Sequence, residues 1–139
     1  MKDIIGFFFK RPLKKALHAR EERRWSHDAT AKAEKAFEQW VFERKFTQPA
    51  ESMDTPLGEM GLTSSELSAF CKAKFGKNFL TVRKELRINE ACRLMLEYPD
   101  IKIGEIGSMV GFSDPSNFRH QFKSVVGVTP LKWKENQKS

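Results

Sequence analysis

The chain has 139 residues, is 40% apolar, and carries a formal charge of +7 with a pI of about 9.5. That length holds one ordinary domain, its twelve Phe and three Trp can fill a modest core, and the basic balance favours polyanionic partners, either nucleic acid or an acidic membrane surface. Two cysteines and three scattered histidines, without metal-ligand, phosphate-loop, nucleophile-elbow or paired-carboxylate patterns, exclude a disulfide framework and point away from enzyme chemistry and from any cofactor.

The charge is unevenly placed. Residues 1–46 hold twelve Lys and Arg against seven Asp and Glu, whereas residues 47–139 hold thirteen against eleven. The apolar run Ile4–Phe9 (IIGFFF) is followed by seven Lys and Arg between Lys10 and Arg24. An apolar end followed by clustered cations has the form of the cytoplasmic edge of a membrane helix. Six residues are too few to span a bilayer, which needs about 20, and they lack the length and cleavage site of a signal peptide. The sequence therefore reads as a cytoplasmic chain. Residues 1–35 form a basic extension, a linker or juxtamembrane helix, whose residues 10–24 suit an anionic membrane surface. Two origins fit, a small complete protein with an apolar tip, or the C-terminal piece of a longer, membrane-anchored protein; a third reading makes IIGFFF a docking strip on the globular domain. The second is favoured. A helical pattern follows through Leu17, Trp25, Ala29, Ala33, Phe37 and Trp40, with room for a break at Ser26–Asp28. Phe37, Trp40 and Val41 stand at i, i+3, i+4 and predict the first helix of the main domain, residues 36–137.

Strand signals are poor, so an all-α fold is expected. A helix-turn-helix is predicted over Met53–Gly76. A connecting helix follows over Phe79–Tyr98, with Phe79, Val82, Leu86, Ala91 and Leu94 on one stripe and Pro99 closing it. A second helix-turn-helix spans Ile103–Gly127. There Ile103, Ile106 and Val110 mark an apolar face, and Gly111-Phe112-Ser113 breaks the helix. Pro115 suits a first turn, where its missing N–H costs nothing. Phe118 and Phe122 repeat at i, i+4, and Gly127 supplies a left-handed stop. Thr129-Pro130 then reads as an N-cap and N1 proline opening a last helix.

The two helix pairs are copies of one unit. At a shift of fifty, Met53 falls on Ile103, Met60 on Val110, Gly61 on Gly111, Leu62 on Phe112 and the cap residue Thr63 on Ser113. Past the turn the shift is fifty-one: Leu67 falls on Phe118, Cys71 on Phe122, Lys72 on Lys123, Gly76 on Gly127 and Val82 on Trp133. One extra residue near the start of the second recognition helix accounts for the change. Cys71 and Cys92 are expected as reduced packing thiols.

The run Val110-Gly111-Phe112-Ser113-Asp114, with Ile103, Ile106, Phe118, Phe122-Lys123 and Gly127-Val128-Thr129-Pro130, resembles the signature of AraC/XylS-type bacterial transcription regulators. Leu86-Arg87-Ile88, Ala91 and Leu94 fit the same pattern, and the likeness covers roughly Phe37–Lys134. It implies two homeodomain-like helix-turn-helix subdomains on a long connecting helix, with double-stranded DNA as the partner. It keeps RNA polymerase open as a further partner and implies a sensing domain elsewhere in the protein. Arg87 is expected to tie the connecting helix to its surroundings rather than to read bases. Departures from the pattern are Pro56, which needs a first-turn position with Ser52 or Asp54 as cap, Leu57, Cys71, Arg83, and Gly107, whose helix propensity costs up to ~1 kcal/mol.

If Leu67 and Phe118 face inward, the outward residues of the two recognition helices can be named. They are Ser64, Ser65, Ser68, Ala69 and Lys72 on the first, and Pro115, Ser116, Asn117, Arg119, His120 and Lys123 on the second. Arg119 can bind guanine bidentately and Asn117 can pair with adenine, whereas serine and alanine discriminate little. Base reading is thus expected mainly from the second helix, with phosphate and methyl contacts from the first. The connecting helix, at 1.5 Å per residue roughly 30 Å long, suits two successive major grooves about 34 Å apart. The alternatives are an adaptor module with degenerate reading and a nonspecific architectural DNA binder.

Overall fold

The computed structural model describes residues 27–49 and 52–138. The expectations for IIGFFF and for the basic tract Lys10–Arg24, including its membrane reading, lie outside the described residues. Within them the chain is all-helical. The order is α1 (His27–Phe42), a 3-10 turn (Lys45–Thr47), α2 (Asp54–Met60), α3 (Ser64–Phe75), α4 (Phe79–Glu97), α5 (Ile103–Met109), α6 (Pro115–Val126) and α7 (Pro130–Asn136). The chain divides into two compact units, 27–45 with 52–83 and 46–49 with 84–138, so α4 begins in one and ends in the other.

The first unit is organised by aromatic packing. Ala33, Phe37, Trp40 and Val41, at helical spacing on α1, are all buried. Phe37 meets Phe70 at 5.3 Å and Phe75 at 5.5 Å between ring centroids, and Trp40 meets Phe79 at 5.5 Å. Phe37, Phe70 and Phe79, which are buried, contribute about 1.5–3 kcal/mol each by leaving water. The Trp40 Nε1–H donates to Glu59 Oε1 at 3.1 Å, so the indole's polar edge is satisfied. Gly61 ends α2 with φ 66° and Gly76 ends α3 with φ 70°, both left-handed. Thr63 opens α3 with a reciprocal capping box: its Oγ1 accepts from Glu66 N while Glu66 Oε1 accepts from Thr63 N. Pro56 is buried in the first turn of α2, as it must be. The N-cap there is Met53, not Ser52 or Asp54, and it makes no side-chain cap bond. The Ser52 hydroxyl instead accepts from Asp54 N, one position early.

The second unit repeats the plan with different details. Its core joins Ile88, Ala91, Leu94 and Met95 of α4 to Ile106, Val110, Phe112, Phe118 and Phe122. α2 and α5 have seven residues each, and α3 and α6 have twelve each. The cap of α6 is Asp114, whose carboxylate accepts from Ser116 N and Asn117 N, and not Ser113 as the repeat suggests. Asp114 is the extra residue of the second copy, and it has taken over the cap. Thr129 caps α7 by accepting from Lys132 N, with Pro130 at N1.

Gly107 is not merely a weak helix former. A Cβ there would lie 2.7 Å from Cγ and Cδ2 of Phe118, which is fully buried. The equivalent positions in the first unit carry Leu57 and the smaller Leu67. Arg87 also has a structural place. It is 8% exposed, donates from Nε to Phe46 O at 2.6 Å and from Nη2 to Gln48 O at 2.7 Å, and lies 5.8 Å from the centre of the Phe112 ring. Gly111, at φ 106°, closes against it: a Cβ would meet Thr47 O at 2.8 Å and Arg87 Nε at 2.9 Å.

Gly58 and Gly107 both lie inside seven-residue helices, but a Cβ at Gly58 meets nothing within 4 Å. Gly58→Ala should stabilise by about 0.4–1 kcal/mol. Gly107→Ala should destabilise by roughly 1–3 kcal/mol despite its better propensity; the shift in urea midpoint reads both. Arg87→Met should cost about 1.5–3 kcal/mol, since two carbonyls lose a charged donor. Burial pushes the thiols of Cys71 and Cys92 up to about 12. Both should therefore alkylate slowly in native protein at pH 8 and rapidly in urea. Their contribution to stability should be complete below the ordinary thiol range, and should be lost as pH rises from that range toward 12.

Candidate nucleic-acid interface

α3 and α6 align end to end at a shift of fifty-one, so their faces can be compared position by position. The core side is Leu67, Phe70 and Cys71 on α3, and Phe118 and Phe122 on α6. At about 100° per residue, the positions facing away from the core are Ser65, Ala69 and Lys72 on α3. On α6 they are Ser116, His120 and Lys123. Ser68 and Arg119 share one edge of this face, Asn117 lies on the other, and Ser64 and Pro115 begin the first turn. Ser64, Ser65 and Lys72 are exposed, as are Pro115, Ser116, Asn117, Arg119, His120 and Lys123. Ser68 and Ala69 are half-buried and so present less outward surface than the sequence reading gave them.

The two faces differ in chemistry at matched positions. Where α3 has Ser68 and Ala69, α6 has Arg119 and His120, and both helices keep a lysine one turn later. Many cations elsewhere are matched with acids: Lys32 with Glu66 at 3.7 Å, Lys74 with Glu34 at 3.9 Å, and Arg93 with Glu90 at 2.8 Å. Among the described residues no ion pair engages Lys72, Arg119 or Lys123. Their charge is therefore available to a polyanion outside the fold. The helix N-termini are differently disposed. Asp114 occupies the Ser116 and Asn117 N–H groups. At α3 the Thr63 N–H holds the Glu66 carboxylate below its ordinary value. On α6, attraction for phosphate must then come chiefly from side chains.

Two residues on α6 escaped the sequence reading. Gln121, half-buried, donates from Nε2 to Asn117 Oδ1 at 3.3 Å, and Ser124 is exposed beside His120. Both stand four residues after a named site residue, and that spacing was the available signal. Among the described residues no group of three or more His, Cys, Asp or Glu side chains could hold a metal ion, and no helix is long and apolar enough to cross a membrane.

Comparison with known proteins adds to this geometry. A family model described as a helix-turn-helix domain matches residues 58–136, more than half of the chain. The chain is 33% identical over 70 residues to the HTH-type transcriptional regulator GlxA of Rhizobium meliloti, a match covering 50% of this chain and 21% of that protein. It thus spans about a fifth of that relative's length. Its fold is similar to the C-terminal domain of AraT, a response regulator from Geobacillus stearothermophilus, with TM-score 0.65, 24% identity, and coverage of 76% of this chain and 84% of that one. It is also similar to the C-terminal domain of the two-component response regulator yesN from Fusobacterium nucleatum, with TM-score 0.58, 28% identity, and coverage of 69% and 92%. With paired seven- and twelve-residue helices, left-handed glycine stops and the family match on one stretch, the chain belongs to the AraC/XylS-type helix-turn-helix family, a family of DNA-binding transcription-regulator domains and not of enzymes.

Proposed function

We propose that this domain binds double-stranded DNA sequence-specifically, with α3 and α6 entering successive major grooves, and that most base reading comes from α6. The observation that carries the reading is the outward face of α6, where Arg119, His120 and Lys123 are exposed and no ion pair among the described residues engages the two cations. Arg119 suits the O6 and N7 acceptors of guanine. Lys72 and Lys123, at matched positions, suit phosphates on either side. Ser64, Ser65, Ser68 and Ala69 offer small contacts to backbone and thymine methyls, and Pro115 and Ser116 bring the start of α6 close to the groove. The 19-residue α4 supports the two-groove reading: its length of about 28 Å approaches the ~34 Å between successive grooves. RNA polymerase as a partner, and a sensing region elsewhere in the protein, are proposed on the family likeness alone.

Mobility shifts with fragments from the gene's own neighbourhood, against random competitor DNA, test the reading. A specific complex is expected, and equal affinity for all fragments would make the domain an architectural binder instead. Arg119→Ala should lose about 1–3 kcal/mol on the specific site and relax preference at one base pair. Equal weakening on random DNA would make Arg119 a phosphate contact. Lys72→Ala and Lys123→Ala should each weaken binding on every sequence and lower the salt slope by about 1. An unchanged slope would remove that lysine from the interface.

A further inference from the structure

His120 stands at the point of α6 farthest from the core. Phe118 and Phe122 are both fully buried, and at about 100° per residue their shared direction is opposite to that of His120. Its side chain is exposed and takes part in no hydrogen bond or ion pair among the described residues. Beside it on the outward face are the cations Arg119 and Lys123 and the neutral Ser116, Asn117 and Ser124. The Asp114 carboxylate, at the helix start, is engaged by Ser116 N and Asn117 N. α4, α5 and α7 pack on the opposite side, against Phe118 and Phe122. They bring Arg87, Glu90, Arg93 and Glu97 from α4, Glu105 from α5, and Lys132, Lys134 and Glu135 from α7. Arg87 is held by backbone carbonyls and Arg93 by Glu90 and Glu97, and none of these groups bonds His120. The matched position on α3 is Ala69, so the first unit has no titratable group there.

Resting on the DNA-binding role given above, we propose that His120 takes up a proton from solvent as α6 enters the groove, so that DNA binding strengthens as pH falls through the neutral range. Imidazole is the side chain whose ordinary charge change falls between pH 5 and 8. A groove bounded by two phosphate strands favours the imidazolium over the neutral ring. The residue that points farthest from the core enters that field most deeply. Linkage fixes the sign: where the complex holds more protons than the free partners, affinity rises with acidity. The gain is complete below the ordinary histidine range and is lost as pH rises through the value in the complex. One proton limits the effect to about tenfold per pH unit. The outward face of α6 then carries three cations in mild acid and two in mild alkali.

Titrations of the full chain from about pH 5.5 to about pH 8 test this, on the genomic fragment bound best and on a random duplex of equal length. The wild type should bind both roughly tenfold more tightly at the acid end, with a salt slope steeper there by about 1. His120→Gln should keep the alkaline affinity throughout, and His120→Arg the acid affinity throughout. Glutamine and arginine are both good helix formers, so circular dichroism melts should match the wild type. Calorimetry in buffers of different ionisation enthalpy should show net proton uptake on binding by the wild type and none by His120→Gln. If the wild type binds equally at every pH, or His120→Gln keeps the wild-type pH dependence, the role of His120 is overturned and DNA binding stands. His120→Arg binding more weakly than His120→Gln would overturn it too, since a fixed cation there would gain nothing from the phosphates. Absence of wild-type binding to any duplex at any pH would sink the DNA-binding role itself, and this inference with it.

Discussion

The guanidinium of Arg87 is the fixed point of the second unit. α5 has only seven residues, far short of the roughly 12–15 that a helix needs to persist alone in water, so its position must be imposed by packing. Arg87 does this by bonding the carbonyls of Phe46 and Gln48 with two donors while the Phe112 ring lies beside it. A buried guanidinium is costly unless its donors are engaged, and here the backbone oxygens of Phe46 and Gln48 engage it. The turn between α5 and α6 then fits only because Gly111 has no side chain to meet Thr47 O and Arg87 Nε. One cation thus sets the 3-10 segment, α4 and the turn of the helix-turn-helix together.

The two copies of the repeat show how one plan accepts different solutions. The first unit keeps leucine at both Leu57 and Leu67. The second has moved volume from one position to the other, with Gly107 making room for the ring of Phe118. The first unit opens its recognition helix with a threonine–glutamate capping box, and the second inserts Asp114 and uses its carboxylate. Either change alone would be a defect, a hole or clash in one case and an uncapped helix in the other. Each is tolerated because its compensation lies in the same unit.

These details mark what the sequence could and could not disclose. Gly111 and Gly127 are legible as stops, Gly61 and Gly76 only as their repeat partners, and Pro115 and Pro130 as first-turn residues, because a left-handed φ and a missing N–H are local requirements. The all-helical class and the burial of Phe37, Trp40, Val41, Phe118 and Phe122 followed from spacing alone. The cap of α6 is ambiguous in sequence because Ser113 and Asp114 are both good N-cap residues, and the repeat register favours the wrong one. Gly107 reads as a propensity cost because its reason is a ring eleven positions away. Ser68 and Ala69 fall outward by helical spacing because an angle on a helical wheel does not show how high the neighbouring side chains rise.

The capped N-termini also bear on how such a domain would meet DNA. A helix end with free N–H groups attracts phosphate through its dipole whatever the sequence. Here Asp114 accepts from Ser116 N and Asn117 N and Thr63 accepts from Glu66 N, and each helix start carries a carboxylate, that of Asp114 or of Glu66. Those carboxylates oppose phosphate at that point and favour helix entry into the groove, away from the backbone. Attraction then depends on a few long cations placed later in each helix, Lys72 on α3 and Arg119 and Lys123 on α6. The salt dependence of such an interface scales with the number of those cations. Between and beside them α3 carries serine and alanine, whereas α6 carries Asn117, His120 and Gln121.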